Sequence, residues 1–287
     1  ELGVPVESVR VMDTATDKVP NTSATAASSG SDLNGQAVRD ACEVLRERLR
    51  DVAMTMLELP PQQRDTLRFA GGAVTHPDSA RTVPFAEVAE RAWVDRVSLS
   101  ATGFYRTPGV GYDHATGQGT PFYYYAYGAV VCEVEVNGLT GEHRMVRADI
   151  LHDVGHSLVP TIDRGQVEGG FVQGVGWLTC EEVLTHDDGT PITVGPSTYK
   201  IPAIGDVPVD MRVELLPRAE QPGVIHGSKA VGEPPLMLGI GAVTALRHAI
   251  GGFGSGEVEL SLPATPEAIL RAVVAQRQRD CVGGGYR

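Results

Sequence analysis

Glu233 stands in the run Val231-Gly232-Glu233-Pro234-Pro235-Leu236. Two prolines follow it directly, and a residue before proline is pushed toward an extended backbone. Gly232 lets the chain come close to a neighbour. The expectation is one carboxylate held rigidly between apolar segments. Burial in such a place raises a carboxylate's pKa toward the range useful for a general base. The same run also reads as a pre-helix turn whose glutamate caps a helix starting near Leu236. The residues alone leave both readings open.

A second candidate is Thr25-Ala26-Ala27-Ser28-Ser29-Gly30-Ser31-Asp32, set directly before a long helical pattern. Small residues let a ligand approach the backbone. A helix N-terminus adds free N–H donors and the positive end of a dipole, which suits a phosphate or another anion. An ordinary polar loop ending in an N-cap has the same composition, so both readings stand. The third candidate is Asp163-Arg164-Gly165-Gln166-Val167-Glu168-Gly169-Gly170-Phe171. Each glycine within a helix costs about 1 kcal/mol relative to alanine. That cost points to tight helix–sheet packing or to a ligand, and Gln166 can donate a hydrogen bond. Gly174-Val175-Gly176 lacks the third glycine of a dinucleotide fingerprint.

The remaining chemistry is sparse. His152 and His156 flank Asp153, but Gly155 between them signals a turn, and His114, His143, His226 and His248 are isolated. No metal-ligating residue is expected here. No serine occupies a GxSxG elbow. Tyr123, Tyr124 and Tyr125 read as strand packing, because no basic patch accompanies them.

Elements must position these segments. Residues 4–12 read as a strand, and a polar loop runs from Asp13 to Gly30. An amphipathic helix is expected from about Asp32 to Leu57, with Leu33, Ala37, Val44, Leu45, Leu49, Val52 and Met56 on its apolar face. Ser31 or Asp32 is its expected N-cap, and Leu59-Pro60-Pro61 stops it. A shorter helix is expected over Phe85–Val94, followed by a Gly- and Pro-rich loop over 97–122. Residues 123–136 and 144–152 pattern as a β-hairpin turning through Asn137–Gly141. Further helices are expected over 164–185, Leu236–Ile250 and Pro266–Arg279. Strands and helices mix without regular βαβ alternation, so the expected fold class is α+β.

The 287 residues suffice for one large domain or two modest ones. A net charge of -12, from 36 acidic against 24 basic residues, leaves no electrostatic footprint for nucleic acid or anionic membrane. Cys42, Cys132, Cys180 and Cys281 form no CxxC pair, so no disulfide framework, zinc site or iron–sulfur site is expected. Scattered thiols suit a reducing cytoplasm. No apolar run reaches the roughly 18 residues of a membrane span. The opening Glu1-Leu2-Gly3-Val4 has no initiator methionine and reads as a start in mid-domain.

Five strings occur in order: VPNTSATAASSGSDLNGQAV, SLSATGFYRTPGVGY, DRGQVEGGFVQGVG, GPSTYKIPAIGDVP and SKAVGEPPLMLG. Together they resemble the C-terminal part of the molybdopterin-binding region of the xanthine dehydrogenase and oxidase family, over nearly the whole chain. The resemblance implies that residues 1–287 form one portion of that region, with room for two intertwined α+β subdomains. It implies that Ala27, Ser28 and Ser29 contact the molybdopterin cofactor, that Ala27 lies beside the reaction centre, and that Gln166 also contacts the cofactor. It implies that Glu233 is the general base, activating a molybdenum-bound hydroxyl against an electron-poor carbon of a purine. Electrons would leave through iron–sulfur clusters to FAD and then NAD, carried on partner chains or domains.

The family's glycine- and glutamine-rich cofactor loop, its purine-binding arginine and second glutamate, and its ring-sandwiching phenylalanines are absent from this sequence. The chain alone is therefore expected to bind the cofactor poorly and turn nothing over. Expected partners are the N-terminal part of the molybdenum subunit and iron–sulfur and FAD-bearing subunits, in an oligomer. The purine reading rests on SATGFYRTPGVGY and YKIPAIGDVP. An aldehyde oxidase-type or other N-heterocycle hydroxylase, and a non-catalytic assembly subunit, are the alternatives.

Overall fold

Helix α1 spans Gly30–Leu57 and turns Leu49, Val52, Ala53 and Leu57 inward. The expected helix forms and its C-terminal half buries the expected face, but Leu33 and Val44 stay exposed; the start is two residues earlier, with Ser29, rather than Ser31 or Asp32, at the N-cap position. The structure, a computed structural model, describes all residues except 14, 19–25, 27, 218 and 284–287. It divides into two units, Glu1–Tyr123 and Tyr124–Arg287.

In the first unit α1 packs on a small antiparallel sheet of β1 (Arg68–Ala70), β2 (Ala73–Thr75) and β3 (Thr82–Pro84), and on α2 (Phe85–Val94). Val74, Val88 and Ala92 complete this core. Gly103 lies so close to α1 that a side chain there would strike the Ala37 carbonyl, and the Phe104 amide donates to Asp40 Oδ2 at 3.0 Å. The string SATGFYRTP is thus laid along the helix.

Two expectations fail in this unit. Residues 4–12 form no strand. Val6–Ser8 make a 3-10 turn, and Val6, Val9 and Val11 stay exposed. A strand needs a neighbour to satisfy its backbone groups, and none of the described strands pairs with this segment. Conversely, the expected loop over 97–122 contains a hairpin of β4 (Gly111–Asp113) and β5 (Gln118–Thr120). Asp113 makes its turn, accepting from the Ala115 amide at 2.9 Å and the Thr116 hydroxyl at 2.8 Å, a side-chain turn that periodicity does not register.

The second unit is built on β6 (Gly128–Val136) and β7 (His143–His152), the expected hairpin, although β6 starts five residues later than expected and leaves Tyr123, Tyr124 and Tyr125 outside the strand. Strand β8 (Asp210–Leu215) lies parallel to β7, reached through α3 (Pro160–Thr179). Its six residues, DMRVEL, were too short and polar to read as a strand; pairing along β7 organises them. A 3-10 turn over Pro234–Gly239 leads into α4 (Ile240–Gly251), and α5 covers Pro266–Gly283. Met145, Ala148 and Ile150 of the sheet meet Val167, Phe171 and Val175 of α3, with Leu238 and Ala242 closing the core. Each of these side chains larger than alanine contributes roughly 1.5–3 kcal/mol on burial.

His152 ends β7 inside this unit. It is 2 % exposed, and neither ring nitrogen has a partner among the described residues. Burial holds its pKa below the ordinary histidine value, against a smaller opposing pull from Asp153. The folded protein therefore keeps His152 neutral where an unfolded chain takes up a proton. Stability is expected to fall as pH drops from about 6.5 toward the depressed folded value. Thermal unfolding of the intact protein above and below that pH should show the loss, and His152→Leu should flatten it. An unchanged slope in that variant would refute the assignment.

Candidate functional site

Helix α3 begins at Pro160, which presets its first turn. Its glycines then divide into two rows. Gly170 and Gly174 face the Pro234–Gly239 turn. A Cβ on Gly170 would lie 2.9 Å from Pro235 Cβ and 3.2 Å from the Gly232 carbonyl oxygen. On Gly174 it would strike the Leu236 carbonyl. Gly165 and Gly169 have nothing within 4 Å of such a Cβ and lie exposed beside exposed Ile162. The packing expectation for this glycine run therefore holds at Gly170 and Gly174. The packing partner is the 3-10 turn rather than a sheet.

Contacts run in parallel order, 170 with 232–235 and 174 with 236–239. Gln166 lies one turn before Gly170, between the packed row and the open row, and is exposed. It therefore shares the N-terminal end of this junction with Glu233, which opens the turn. Among the described residues its side-chain amide has no hydrogen-bond partner.

Glu233 departs from expectation in two ways. Its backbone is helical, with φ -95° and ψ -38°, rather than extended. The proline bias is a preference, and the turn overrides it by drawing the Leu236 amide onto the Glu233 carbonyl at 3.1 Å. Its side chain is also exposed rather than buried. The rigid mount is present: Pro234 and Pro235 occupy the first two positions of the turn, and Pro235 is buried. The capping reading fails, since Glu233 makes no side-chain cap. Among the described residues its carboxylate has no hydrogen-bond or ion-pair partner.

The loop before α1 belongs to the first unit, and Ala27 lies outside the described residues. Ser28 adopts a left-handed backbone, φ +53°, uncommon for a non-glycine residue. Ser29 donates its hydroxyl to the Ala26 carbonyl at 2.9 Å and leaves the helix uncapped by a side chain.

Sequence reasoning missed a cluster beside Glu233. Asp153 and Lys229 are buried and paired at 2.5 Å. Asp153 was noticed only as the spacer between two histidines, and Lys229 only inside the string SKAVGEPPLMLG. Their separation in sequence hides the pairing. The turn expected at Gly155 is present, with φ +64°. A cavity of about 990 Å3 in the same unit, lined by His143, Cys180, Lys200 and Asp206 among others, contains neither Gln166 nor Glu233. No group of three potential metal ligands occurs among the described residues.

The family model for the molybdopterin cofactor-binding domain matches residues 1–208. A xanthine dehydrogenase of Dictyostelium discoideum is 48 % identical over 250 residues, 86 % of this chain and 17 % of that protein. A xanthine dehydrogenase/oxidase of Felis catus is 43 % identical over 99 % of this chain and 20 % of its own length. The chain thus spans about a fifth of these relatives. Among solved structures, quinoline 2-oxidoreductase from Pseudomonas putida 86 superposes with a TM-score of 0.78 at 28 % identity, covering 96 % of this chain and 34 % of that one. A copper- and molybdenum-containing CO dehydrogenase shares the fold, with a TM-score of 0.73 at 19 % identity over 91 % of this chain and 31 % of that one.

Proposed function

The chain belongs to the molybdopterin cofactor-binding domain family, and from that premise we propose that it supplies part of the active site of a xanthine dehydrogenase-type molybdenum hydroxylase. The observation that carries this reading is the Glu233 carboxylate, exposed, without a partner among the described residues, and mounted on a Pro–Pro turn packed on the helix of Gln166. Both units are read as portions of one molybdopterin-binding region.

The residues present fit the cofactor. The N-terminus of the 28-residue α1, with Ser28 and Ser29 beside it, suits a phosphate. Gln166 stands beside a helix face that Gly165 and Gly169 leave open to close approach. Ala27 takes the place beside the reaction centre by the family resemblance. When bound, the molybdenum cofactor supplies two-electron redox chemistry with an oxygen derived from water. Glu233 serves as general base and takes up a proton on its carboxylate. Pro234 and Pro235 limit its excursions, and Gln166 orients the cofactor through its amide. Iron–sulfur clusters and FAD, which would carry the electrons on to NAD, would be held by partner chains or domains; in this chain Cys42, Cys132 and Cys180 are separate free thiols.

The substrate in this reading is a purine, hypoxanthine or xanthine going to urate, as the names of the relatives suggest. The likeness to a quinoline 2-oxidoreductase favours another N-heterocycle as the second reading. A scaffold role accounts less well for Glu233, whose carboxylate makes no cap and, among the described residues, no hydrogen bond or ion pair. Partners are the N-terminal part of the molybdenum subunit and the electron-transfer subunits, in an oligomer. A cytoplasmic setting accords with the free thiols, and no described helix is long and apolar enough to cross a membrane.

Elemental analysis of the natively purified assembly tests the proposal. Molybdenum is expected at about one atom per copy of this chain, with iron and flavin on co-purifying chains or domains and faster turnover of purines than of aldehydes or quinoline. Absence of molybdenum would overturn it, and quinoline outpacing purines would select the second reading.

A further inference from the structure

Lys229 lies four residues upstream of Glu233, and its pairing with Asp153 is unusually complete in geometry. Lys229 Nζ contacts Asp153 Oδ2 at 2.5 Å, donates to the Tyr125 carbonyl at 2.9 Å, and lies 5.5 Å from the centre of the Tyr127 ring. The two side chains are 7 % and 2 % exposed. The other Asp153 oxygen accepts from the Gly155 amide at 2.8 Å. Around them the backbone is stitched together. The Lys229 amide donates to the Val154 carbonyl at 2.9 Å, the His156 amide to the Gly227 carbonyl at 2.8 Å, and the Ala230 amide to the Tyr124 hydroxyl oxygen at 2.7 Å.

A buried ion pair is a poor device for stability. Taking both charges out of water offsets much of their attraction, and apolar replacements of similar volume are often neutral or better. What this pair does supply is a fixed point joining three chain segments, at 125, 153 and 229. Downstream of Glu233 the chain is fixed again, by Pro235 against Gly170. Glu233 is therefore held from both sides, with only residues 230–232 between it and the buried ammonium.

We infer that Lys229, held by Asp153, is a positioning residue that sets where the Glu233 carboxylate stands. This rests on the reading of Glu233 as the general base. The ammonium acts by tethering backbone, with its charge answered by Asp153. It does not touch substrate.

The test uses the intact enzyme with the double variant Lys229→Met/Asp153→Leu, which leaves neither charge of the pair in the interior, and Tyr124→Phe, which removes the acceptor of the Ala230 amide. Glu233→Gln is the reference. In the double variant, kcat is expected to fall by about 10²-fold, the scale of a misplacement near 1 Å, with KM and molybdenum content near wild type. Amide exchange over residues 228–233 should quicken. The acid limb of the pH–rate profile should stay in place, whereas an electrostatic role for Lys229 would shift it and overturn the tether. Tyr124→Phe should give the same signature at smaller amplitude, and it decides the matter if the double variant loses its molybdenum. Wild-type kcat in the variants that retain molybdenum, with Glu233→Gln inactive, would overturn the positioning role alone. Wild-type turnover in Glu233→Gln would instead remove the base, and the positioning role with it.

Discussion

Glu233→Gln in the intact enzyme is expected to lower kcat by about 10²–10⁴-fold, the usual contribution of a general base, while molybdenum content and folding stay as in wild type. The substitution keeps size and polarity and removes only the ability to take a proton. Folding should not notice it, because the carboxylate makes no cap, and among the described residues no ion pair or hydrogen bond. A residue with a structural duty would show the opposite pattern, with stability lost before chemistry. Steady-state kinetics beside a molybdenum assay separate the two, and near-normal turnover would remove Glu233 from the mechanism.

Gly174→Val should have the second large effect, by another route. Its Cβ would meet the Leu236 carbonyl and lie 3.2 Å from Gly239 Cα. Both are backbone atoms and cannot swing aside. Overpacking of a core typically costs about 1–3 kcal/mol, and here relief requires α3 and the 234–239 turn to separate. That separation moves Glu233, so stability and kcat should fall together. Gly165→Ala is the contrast. Nothing lies within 4 Å of its new Cβ, and alanine in a helix gains about 1 kcal/mol over glycine. The fold should tighten in that variant. Thermal unfolding of both variants tests the pair, and equal destabilisation would show that the two rows of glycines are not distinct.

Much of this was legible without coordinates because it is local. Leu49, Val52 and Met56 recur at helical spacing, and α1 forms there. Phe85–Val94 follows Pro84, and the helix occupies those residues. The turn at Asn137–Gly141 separates two alternating runs, and β6 and β7 pair across it. Gln166 and Glu233 stood out by their company of glycine and proline, which announces an unusual backbone whatever surrounds it.

What sequence could not supply depends on segments far apart in the chain. Strand β8 exists because β7 offers an edge, while residues 4–12, equally strand-like in pattern, have no such partner among the described residues. Division of the glycines into a packed row and an open row follows from where Pro234–Gly239 comes to rest. The conformation of Glu233 was misjudged because a local proline bias yielded to the hydrogen bond that closes the turn. The Asp153–Lys229 pair was invisible because nothing in either neighbourhood refers to the other. Side-chain type and spacing, which act over a few residues, selected the chemistry this chain can offer. Packing between distant segments decided which groups are buried, which stay open, and which carboxylate is left with no structural task.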